Sequence, residues 1–301
     1  MKTSGKIFIS LLLISCITIS CRSKTSAQEE KAGPELTLSP SDKLLQQYSE
    51  AEERYNSKPK NAENIIWYGR RAAYLGNYEQ AIAIFTEGIE IFPADARFYR
   101  HRGHRFISLR KFDEAINDLE KAAKLIKDTE NEIEADGMPN ALNIPVSTLH
   151  GNIWYHLGLA YYLIHDYEKA NWAYLNCRAS ATNPDNIVSS THWLYMIQRR
   201  LGNRNIADSL LLQIDEQTSV IENHNYLELC IFYKGKIPID SLMHTSSDNA
   251  ASYATKYGLA NWFFYNNDKD KSRRLMEDIV KGESRSSFGY IAAESDLAHY
   301  K

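Results

Sequence analysis

The stretch that decides the fold is YLGNYEQAIAIFTEGIEIFP, residues 74–93. It carries little catalytic chemistry, but small, aromatic and turn-forming residues occur in it at definite spacings: Gly76, Tyr78, Ala81, Phe85, Gly88 and Pro93. A shift of 34 residues reaches SLRKFDEAINDLEKAAKLIK, residues 108–127, where residues of similar size fall at the same spacings: Phe112, Ala115, Leu119 and Ala122. Self-similarity at a fixed period of this length indicates an array of repeated structural units.

The period continues along most of the chain. Repeat units span 62–95, 96–129, 151–184, 188–221 and 253–286, and a degenerate unit spans 221–252. The fourth unit has Tyr195 where the others have a small residue, and Pro238 in the fifth allows at most the first turn of a short helix. These units resemble the tetratricopeptide repeat, in which two antiparallel helices, A and B, approach closely at small residues.

This resemblance implies an all-α fold, a right-handed α-solenoid of antiparallel helix pairs with five to six repeats plus capping helices. The repeat domain is expected to span residues 40–300, and Ser39 followed by Pro40 predicts the start of its first helix. Residues 286–299 are expected to form a helix that caps the open end, which a solenoid requires. The family also implies a concave groove lined by the A helices.

Residues 127–150 form an insertion that breaks the period between the second and third units. It contains turn formers such as Gly137 and Pro139, but also apolar residues that a plain linker would not need: Ile133, Met138, Leu142 and Ile144. Loops of this length are uncommon in compact domains and are often functional. The insertion is therefore expected either to pack back over the groove or to form a surface Ω-loop with its own small cluster.

Residues 1–20 have the features of an export signal. Lysines precede an apolar run over residues 7–19, which is short for a helix that spans a membrane. The run ends in a small residue and Cys21, which resembles a bacterial lipoprotein signal in which the cysteine is acylated. Cys16 is a competing acylation site, and cleavage after Ala27 would instead give a soluble periplasmic protein.

Residues 21–39 are polar and lack an apolar period, which predicts a flexible tether. No aspartate follows Cys21 directly, and no acidic cluster resembling a surface-export signal comes after it. The expected location is therefore the periplasmic face of a bacterial outer membrane, with the lipid as the membrane contact. The formal net charge of −3 gives no strong field towards nucleic acid, so no nucleic-acid partner is expected.

No Ser-His-Asp arrangement, phosphate loop or dinucleotide motif occurs, so neither an enzymatic activity nor a cofactor is expected. His101 and His104 lie three residues apart on one helix, but spacing places no third ligand beside them, so no metal site is expected. Cys177 and Cys230 fall on helices and are expected to behave as small apolar residues.

The resemblance also assigns inward-facing positions on the A helices, with cations in the first repeats and aromatic residues in the middle ones. The candidate groove residues are Arg70, Tyr74, Arg100, His104, Tyr155, Tyr162, His192 and Arg199. Arginine can hold a carboxylate with two hydrogen bonds, and tyrosine offers contact area at low entropic cost. Ile66 stands where some family members use lysine to hold a chaperone's terminal carboxylate, so that mode of binding is not expected.

The sequence thus predicts a membrane-anchored periplasmic scaffold that binds a protein or peptide partner, acidic in character, in its concave groove. One alternative is a binder of an anionic glycan or another small ligand in the same groove. A more remote alternative is an enzyme that uses the insertion at 127–150. Neither the identity of the partner nor the oligomeric state follows from the sequence.

The lipid anchor leads to a first prediction. Cys21→Ala should abolish incorporation of labelled fatty acid and release the protein from membranes, because the acylated thiol is removed, whereas Cys16→Ala should leave both unchanged. Metabolic labelling and membrane fractionation measure this. Labelling that survives in Cys21→Ala and is lost in Cys16→Ala would place the anchor on the other cysteine.

Overall fold

The computed structural model describes residues 39–243 and 249–300, and within these ranges the fold is all-α, as the repeats predict. The helices are α1 (Pro40–Ser57), α2 (Ala62–Tyr74), α3 (Tyr78–Ile91), α4 (Ala96–Ser108), α5 (Phe112–Leu125), α6 (Leu149–Leu163), α7 (Tyr167–Ala179), α8 (Pro184–Arg200), α9 (Arg204–Leu210), α10 (His224–Tyr233), α11 (Asp240–Met243), α12 (Ala250–Tyr265), α13 (Lys269–Ile279) and α14 (Phe288–His299). A 3₁₀ turn, Leu211–Gln213, follows α9. The signal segment with Cys16 and Cys21, and the tether as far as residue 38, lie outside the described residues.

The first helix begins where the sequence predicts it. Ser39 caps α1, because its Oγ accepts a hydrogen bond from the Asp42 amide at 3.1 Å, and Pro40 takes the first helical position. The two units that depart from the repeat pattern have short second helices. In the fourth, α9 is brief and runs into the 3₁₀ turn, and in the fifth, α11 is a single turn that follows Pro238.

Consecutive helices pack in pairs because a short connection reverses the chain between them. Each connection contains one residue with positive φ, in the left-handed region: Gly76 (83°), Arg110 (61°), His165 (64°), Gly202 (80°), Gly235 (71°) and Asn267 (68°). Gly76 and Arg110 are one period apart, so the same turn is formed by glycine in one unit and by arginine in the next. For a residue with a Cβ this conformation costs roughly 1–2 kcal/mol.

Small residues let the helices of each unit approach one another. A Cβ on Gly69 would lie 2.5 Å from Phe85, and a Cβ on Gly158 would lie 2.5 Å from Tyr174, so the aromatic ring occupies the space that a larger residue would need. Ala81 and Ala115 are completely buried at the equivalent crossings. The motif in residues 74–93 is thus explained by packing.

The C-terminal helix α14 returns to the middle of the array and does more than cap its end. It packs against α12 and α13 and also reaches α6 in the third repeat. Asp296 accepts hydrogen bonds from Arg200 at 2.6 Å and from Tyr257 at 2.9 Å, and the Arg200 and Asp296 side chains are each 1% exposed. Arg110 also donates to Glu294 at 2.7 Å. A buried ion pair of this kind fixes one position for the helix, because separating it would strand a charge in the interior.

The described cysteines, Cys177 and Cys230, are buried and unbridged. Burial raises the pKa of each thiol to about 12, which keeps both protonated at neutral pH. No helix within 39–243 or 249–300 combines the length and apolar character needed to cross a membrane.

The crossing at Ala81 gives a second prediction. Ala81→Leu should lower the free energy of unfolding by about 1–3 kcal/mol, because the buried crossing of α2 and α3 has no room for the larger side chain. Chemical denaturation measures the change. Ala83→Leu, an exposed position on the same helix, is the matched control and should leave stability nearly unchanged. Equal effects of the two substitutions would contradict the packing described for this unit.

Candidate functional site

The insertion lies against the A helices of the first repeats. Arg70 donates to the carbonyl of Ala135 at 2.8 Å, and Arg71 donates to the carbonyl of Gly137 at 2.7 Å. A Cβ on Gly137 would come within 1.9 Å of the Tyr74 hydroxyl, so only glycine allows this approach. These contacts hold residues 135–137 against α2.

The carboxylate of Glu134 connects the insertion to two further A helices. It lies 3.3 Å from Arg100 Nε and 3.4 Å from His101 Nε2, both on α4, and accepts a hydrogen bond from Asn152 of α6 at 2.8 Å. The side chain of Glu134 is 13% exposed. The ends of the insertion meet through an antiparallel bridge, in which the Glu134 amide donates to the carbonyl of Ser147 at 2.9 Å.

The second half of the insertion is bound to residues at the start of α8 and just before α10. The carbonyl of Val146 accepts hydrogen bonds from Asn183 at 2.8 Å and from Asn186 at 3.0 Å, and Asn140 donates to Glu222 at 2.7 Å. Of the two arrangements that the sequence allows, the structure has the insertion packed back on the array. Its large apolar side chains point outwards and are between 48% and 67% exposed: Ile133, Met138, Leu142 and Ile144.

A pocket of about 110 Å³ lies between α2 and α4, next to the insertion. We call it the arginine pocket, and its lining residues are Arg70, Ala73, Tyr74, Phe85, Arg100, His101, His104 and Arg105. Four of the eight groove residues predicted from the sequence meet there, namely Arg70, Tyr74, Arg100 and His104. Residues four apart share a face of a helix, so Arg70 and Tyr74 lie on one face of α2, and Arg100 and His104 lie on one face of α4.

Arg105 is the most unusual member of the arginine pocket. It is half-buried, its Cζ lies 5.5 Å from the ring centroid of Tyr78, and it forms no salt bridge within the described ranges. Burial, reinforced by the neighbouring guanidinium groups of Arg100 and Arg70, lowers its pKa to about 10. It therefore remains protonated at neutral pH. A half-buried cation without a counter-ion is costly, and a bound anion would lower that cost.

The histidines of the pocket add hydrogen-bonding groups and no charge. Burial, followed by the repulsion of nearby arginines, lowers the pKa of both His101 and His104 well below the usual range. The positive charge in the pocket therefore comes from its three arginines. Within the described residues, Glu134 is the carboxylate paired with them, through its contact with Arg100.

The other four predicted groove residues lie elsewhere. Tyr162 and His192 are each 1% exposed. Tyr162 donates to Asn261 of α12 at 3.1 Å, and the ring of His192 stacks on Tyr226 of α10 at 4.5 Å. Tyr155 borders a second cavity, described below. Arg199 donates to Tyr195 and Asn266 at 3.0 and 3.1 Å, far along the chain from the arginine pocket.

Sequence reasoning missed Arg105 and Glu134 as members of this site. Arg105 lies four residues after His101 on α4, so helical periodicity places both on one face. No comparable sequence pattern points to Glu134, because it lies in an irregular loop whose path does not follow from the repeat period. Among the described residues, no group of three or more histidine, cysteine, aspartate or glutamate side chains is arranged to hold a metal ion.

Comparison with known proteins identifies the repeat. The family model described as tetratricopeptide repeat matches residues 66–95, which confirms the tetratricopeptide repeat recognised in the sequence. The small glutamine-rich tetratricopeptide repeat-containing protein 2 of Saccharomyces cerevisiae is 34% identical over 64 residues, which is 21% of this chain and 18% of that protein's length. The chain thus matches less than a fifth of this curated relative.

Solved structures with similar folds include two that are described as tetratricopeptide repeat proteins. One from Parabacteroides merdae has a TM-score of 0.46 at 14% identity, with 86% of this chain and 82% of that chain covered. YrrB, a tetratricopeptide repeat protein with an unusual peptide-binding site, has a TM-score of 0.44 at 13% identity, with 82% and 97% covered. PilF of Pseudomonas aeruginosa has a TM-score of 0.46 at 16% identity, with 84% and 99% covered.

The contacts of Glu134 give a third prediction. Arg100→Met should lower the free energy of unfolding by about 1–3 kcal/mol, because it leaves a largely buried carboxylate without its cation. It should also speed amide hydrogen exchange in residues 132–137, which Arg100 helps to hold. Arg274→Met, on the exposed side of α13, is the control. Exchange and stability that match the wild type in Arg100→Met would mean that Arg100 does not support the insertion.

Proposed function

We propose that the protein is an interaction module that holds an acidic, extended segment of a partner protein at the arginine pocket. The tetratricopeptide fold in general supports a role as a protein–protein interaction scaffold. The observation that carries the finer proposal is the convergence of Arg70, Arg100 and Arg105 on one pocket beside a single paired carboxylate. Arginine suits this task because its planar guanidinium group binds carboxylates with two parallel hydrogen bonds.

The way the surface holds its own chain favours a peptide as the ligand over an anionic glycan. Residues 134–137 are an acidic stretch, Glu-Ala-Asp-Gly, whose carboxylate and main-chain carbonyls are bound by Arg70, Arg71 and Arg100. A second acidic segment could use the same donor types at Arg105. The exposed apolar side chains of the insertion lie on the same segment and would add contact area for a partner with apolar residues beside its acidic ones.

The proposal includes the location expected from the sequence. An acylated Cys21 would anchor the protein to the periplasmic face of an outer membrane, and the polar tether would separate the repeat domain from the lipid surface. Each buried methylene of an acyl chain contributes about 0.8 kcal/mol to membrane binding, so several chains on one cysteine would hold the protein firmly. The cysteine substitutions described above test this part independently of the pocket.

The arginine pocket gives a fourth prediction. Arg105→Gln should weaken binding of a fluorescent acidic peptide, such as an acetylated Glu-Ala-Asp-Gly repeat, by about tenfold, the low end of the range for hydrogen bonds to charged groups. It should not destabilise the fold, because Arg105 has no anionic partner in the described structure. Binding of the wild type should also weaken as salt rises from 0.05 to about 0.5 M, because the Debye length falls below the size of the pocket. Fluorescence anisotropy measures both.

Two comparisons make this test specific. Arg274→Gln removes the same charge at an exposed position on α13 and should leave the peptide affinity unchanged. A sulfated oligosaccharide of the same net charge should bind more weakly than the peptide. Equal loss of affinity in both variants would show that binding depends only on net charge. Preference for the saccharide, lost in Arg105→Gln, would replace the peptide by an anionic glycan as the ligand.

A further inference from the structure

A second cavity, of about 280 Å³, lies on the other side of His104 from the arginine pocket. The end of the insertion, α6, α8, the start of α10 and Phe288 at the start of α14 surround it. The rings of His104, in the arginine pocket, and His156, in this cavity, are 4.2 Å apart, and both lie within 5.6 Å of the Phe288 ring. The two spaces are therefore neighbours with different linings.

Unpaired hydrogen-bond acceptors distinguish this cavity. His156 is 4% exposed, and its Nδ1 lies 2.6 Å from the carbonyl oxygen of Asn152. A carbonyl only accepts, so Nδ1 carries the proton, and Nε2 of the neutral ring has a lone pair. Burial lowers the pKa of His156 well below the usual range, which keeps the ring neutral. Nε2 has no hydrogen-bond partner within the described ranges, so the cavity wall has an acceptor that a ligand can use.

Two further acceptors belong to the lining. Asn186 donates its amide hydrogens to Val146, while its Oδ1 is buried and has no partner in the described structure. Glu222 lies at the exposed edge of the cavity, where one carboxylate oxygen accepts from Asn140 and the other has no hydrogen-bond partner among the described residues. Arg100 of the neighbouring pocket is paired with Glu134, and repulsion from Arg100 and Arg105 contributes, after burial, to the lowered pKa of His156.

The remaining wall is aromatic. Tyr155 and Phe288 have ring centroids 6.1 Å apart, and Tyr155 is joined to Tyr226 by a hydrogen bond of 3.2 Å between the hydroxyls. The Tyr155 hydroxyl also accepts from Trp193 at 2.7 Å, so these rings are fixed in place. Aromatic faces attract cations, and more strongly where water is excluded.

We propose that this cavity binds the primary ammonium group of a ligand. An alkylammonium group has three N–H donors and no acceptor, which matches acceptors on His156, Asn186 and Glu222. Its positive charge is favoured by the carboxylate of Glu222 and by the aromatic wall, and its alkyl chain has apolar contacts there. The carboxylate of Glu222 would repel an anion, and His156 would have no free hydrogen-bond donor for it. This site goes beyond the acidic-peptide site and does not depend on it.

The test uses pentylammonium as the probe and pentan-1-ol as its uncharged analogue, with saturation-transfer NMR titrations on the full chain at about pH 7.5. Pentylammonium should bind at least tenfold more tightly than pentan-1-ol. His156→Phe, which keeps a ring but has no acceptor, should weaken pentylammonium binding by about tenfold. Glu222→Gln should weaken it by about threefold, since an exposed charge pair contributes less than a buried one.

Glu222→Gln keeps the proposal testable even if His156→Phe does not fold, because Glu222 is exposed and glutamine can still accept the hydrogen bond from Asn140. The matched control is Glu216→Gln, an exposed carboxylate that does not line the cavity, which should leave the affinity unchanged. Equal binding of pentan-1-ol and pentylammonium, or equal affinity in the wild type and Glu222→Gln, would overturn the proposal.

The source of the ammonium group is resolved by a second pair of probes. An acidic peptide with one lysine is compared with the same peptide carrying norleucine in its place. A gain of about tenfold from lysine would identify the natural ligand as a peptide side chain that reaches from the arginine pocket into this cavity. Pentylammonium binding without any gain from lysine would identify a free amine as the ligand.

Discussion

The close approach of helices at small residues is the constraint on which the rest of the structure depends. Where Gly69 meets Phe85, and again where Gly158 meets Tyr174, an aromatic ring fills the volume that a side chain on the glycine would require. The A helices are then held at fixed separations, and their inward-facing residues fall at fixed positions relative to one another. The arginine pocket exists because α2 and α4 are held in this way. Arg70 and His104 are one period of 34 residues apart, and Arg100 lies one helical turn before His104.

The sequence pattern predicts how neighbouring helices pack, but it predicts less well which distant helices come into contact. The resemblance of the 34-residue units to the tetratricopeptide repeat predicted the all-α fold and the inward positions of Arg70, Tyr74, Arg100 and His104, which the structure brings into one pocket. It could not predict that Tyr162 and His192 are covered, since this depends on contacts with α12 and α10, which come from later repeats. The return of α14 to the middle of the array depends on contacts such as the buried pair of Arg200 and Asp296 and the bond from Arg110 to Glu294, which give no periodic signal.

The two clusters of buried arginine differ in how their charge is compensated. Arg200 is buried between Asp296 and the rings of Phe264 and Tyr300, so its charge stabilises the fold. In the arginine pocket Glu134 neutralises one of three cations and Arg105 has no carboxylate beside it in the described structure. Full compensation is typical of a structural ion pair, whereas incomplete compensation next to open space is typical of a binding site.

The turn at Arg110 combines an unfavourable local conformation with a long-range contact. Gly76, one period earlier, adopts the same left-handed conformation without a steric cost, whereas Arg110 has that cost. The Arg110 side chain donates hydrogen bonds to Glu294 and to the carbonyl of Arg285. The left-handed conformation is locally unfavourable for Arg110, but its side chain links the second repeat to the C-terminal helix. A chain redesigned to the repeat consensus would have an unstrained residue at every such turn and would lose this link. The most regular version of this solenoid would therefore also be the one whose C-terminal helix is held least firmly against the earlier repeats.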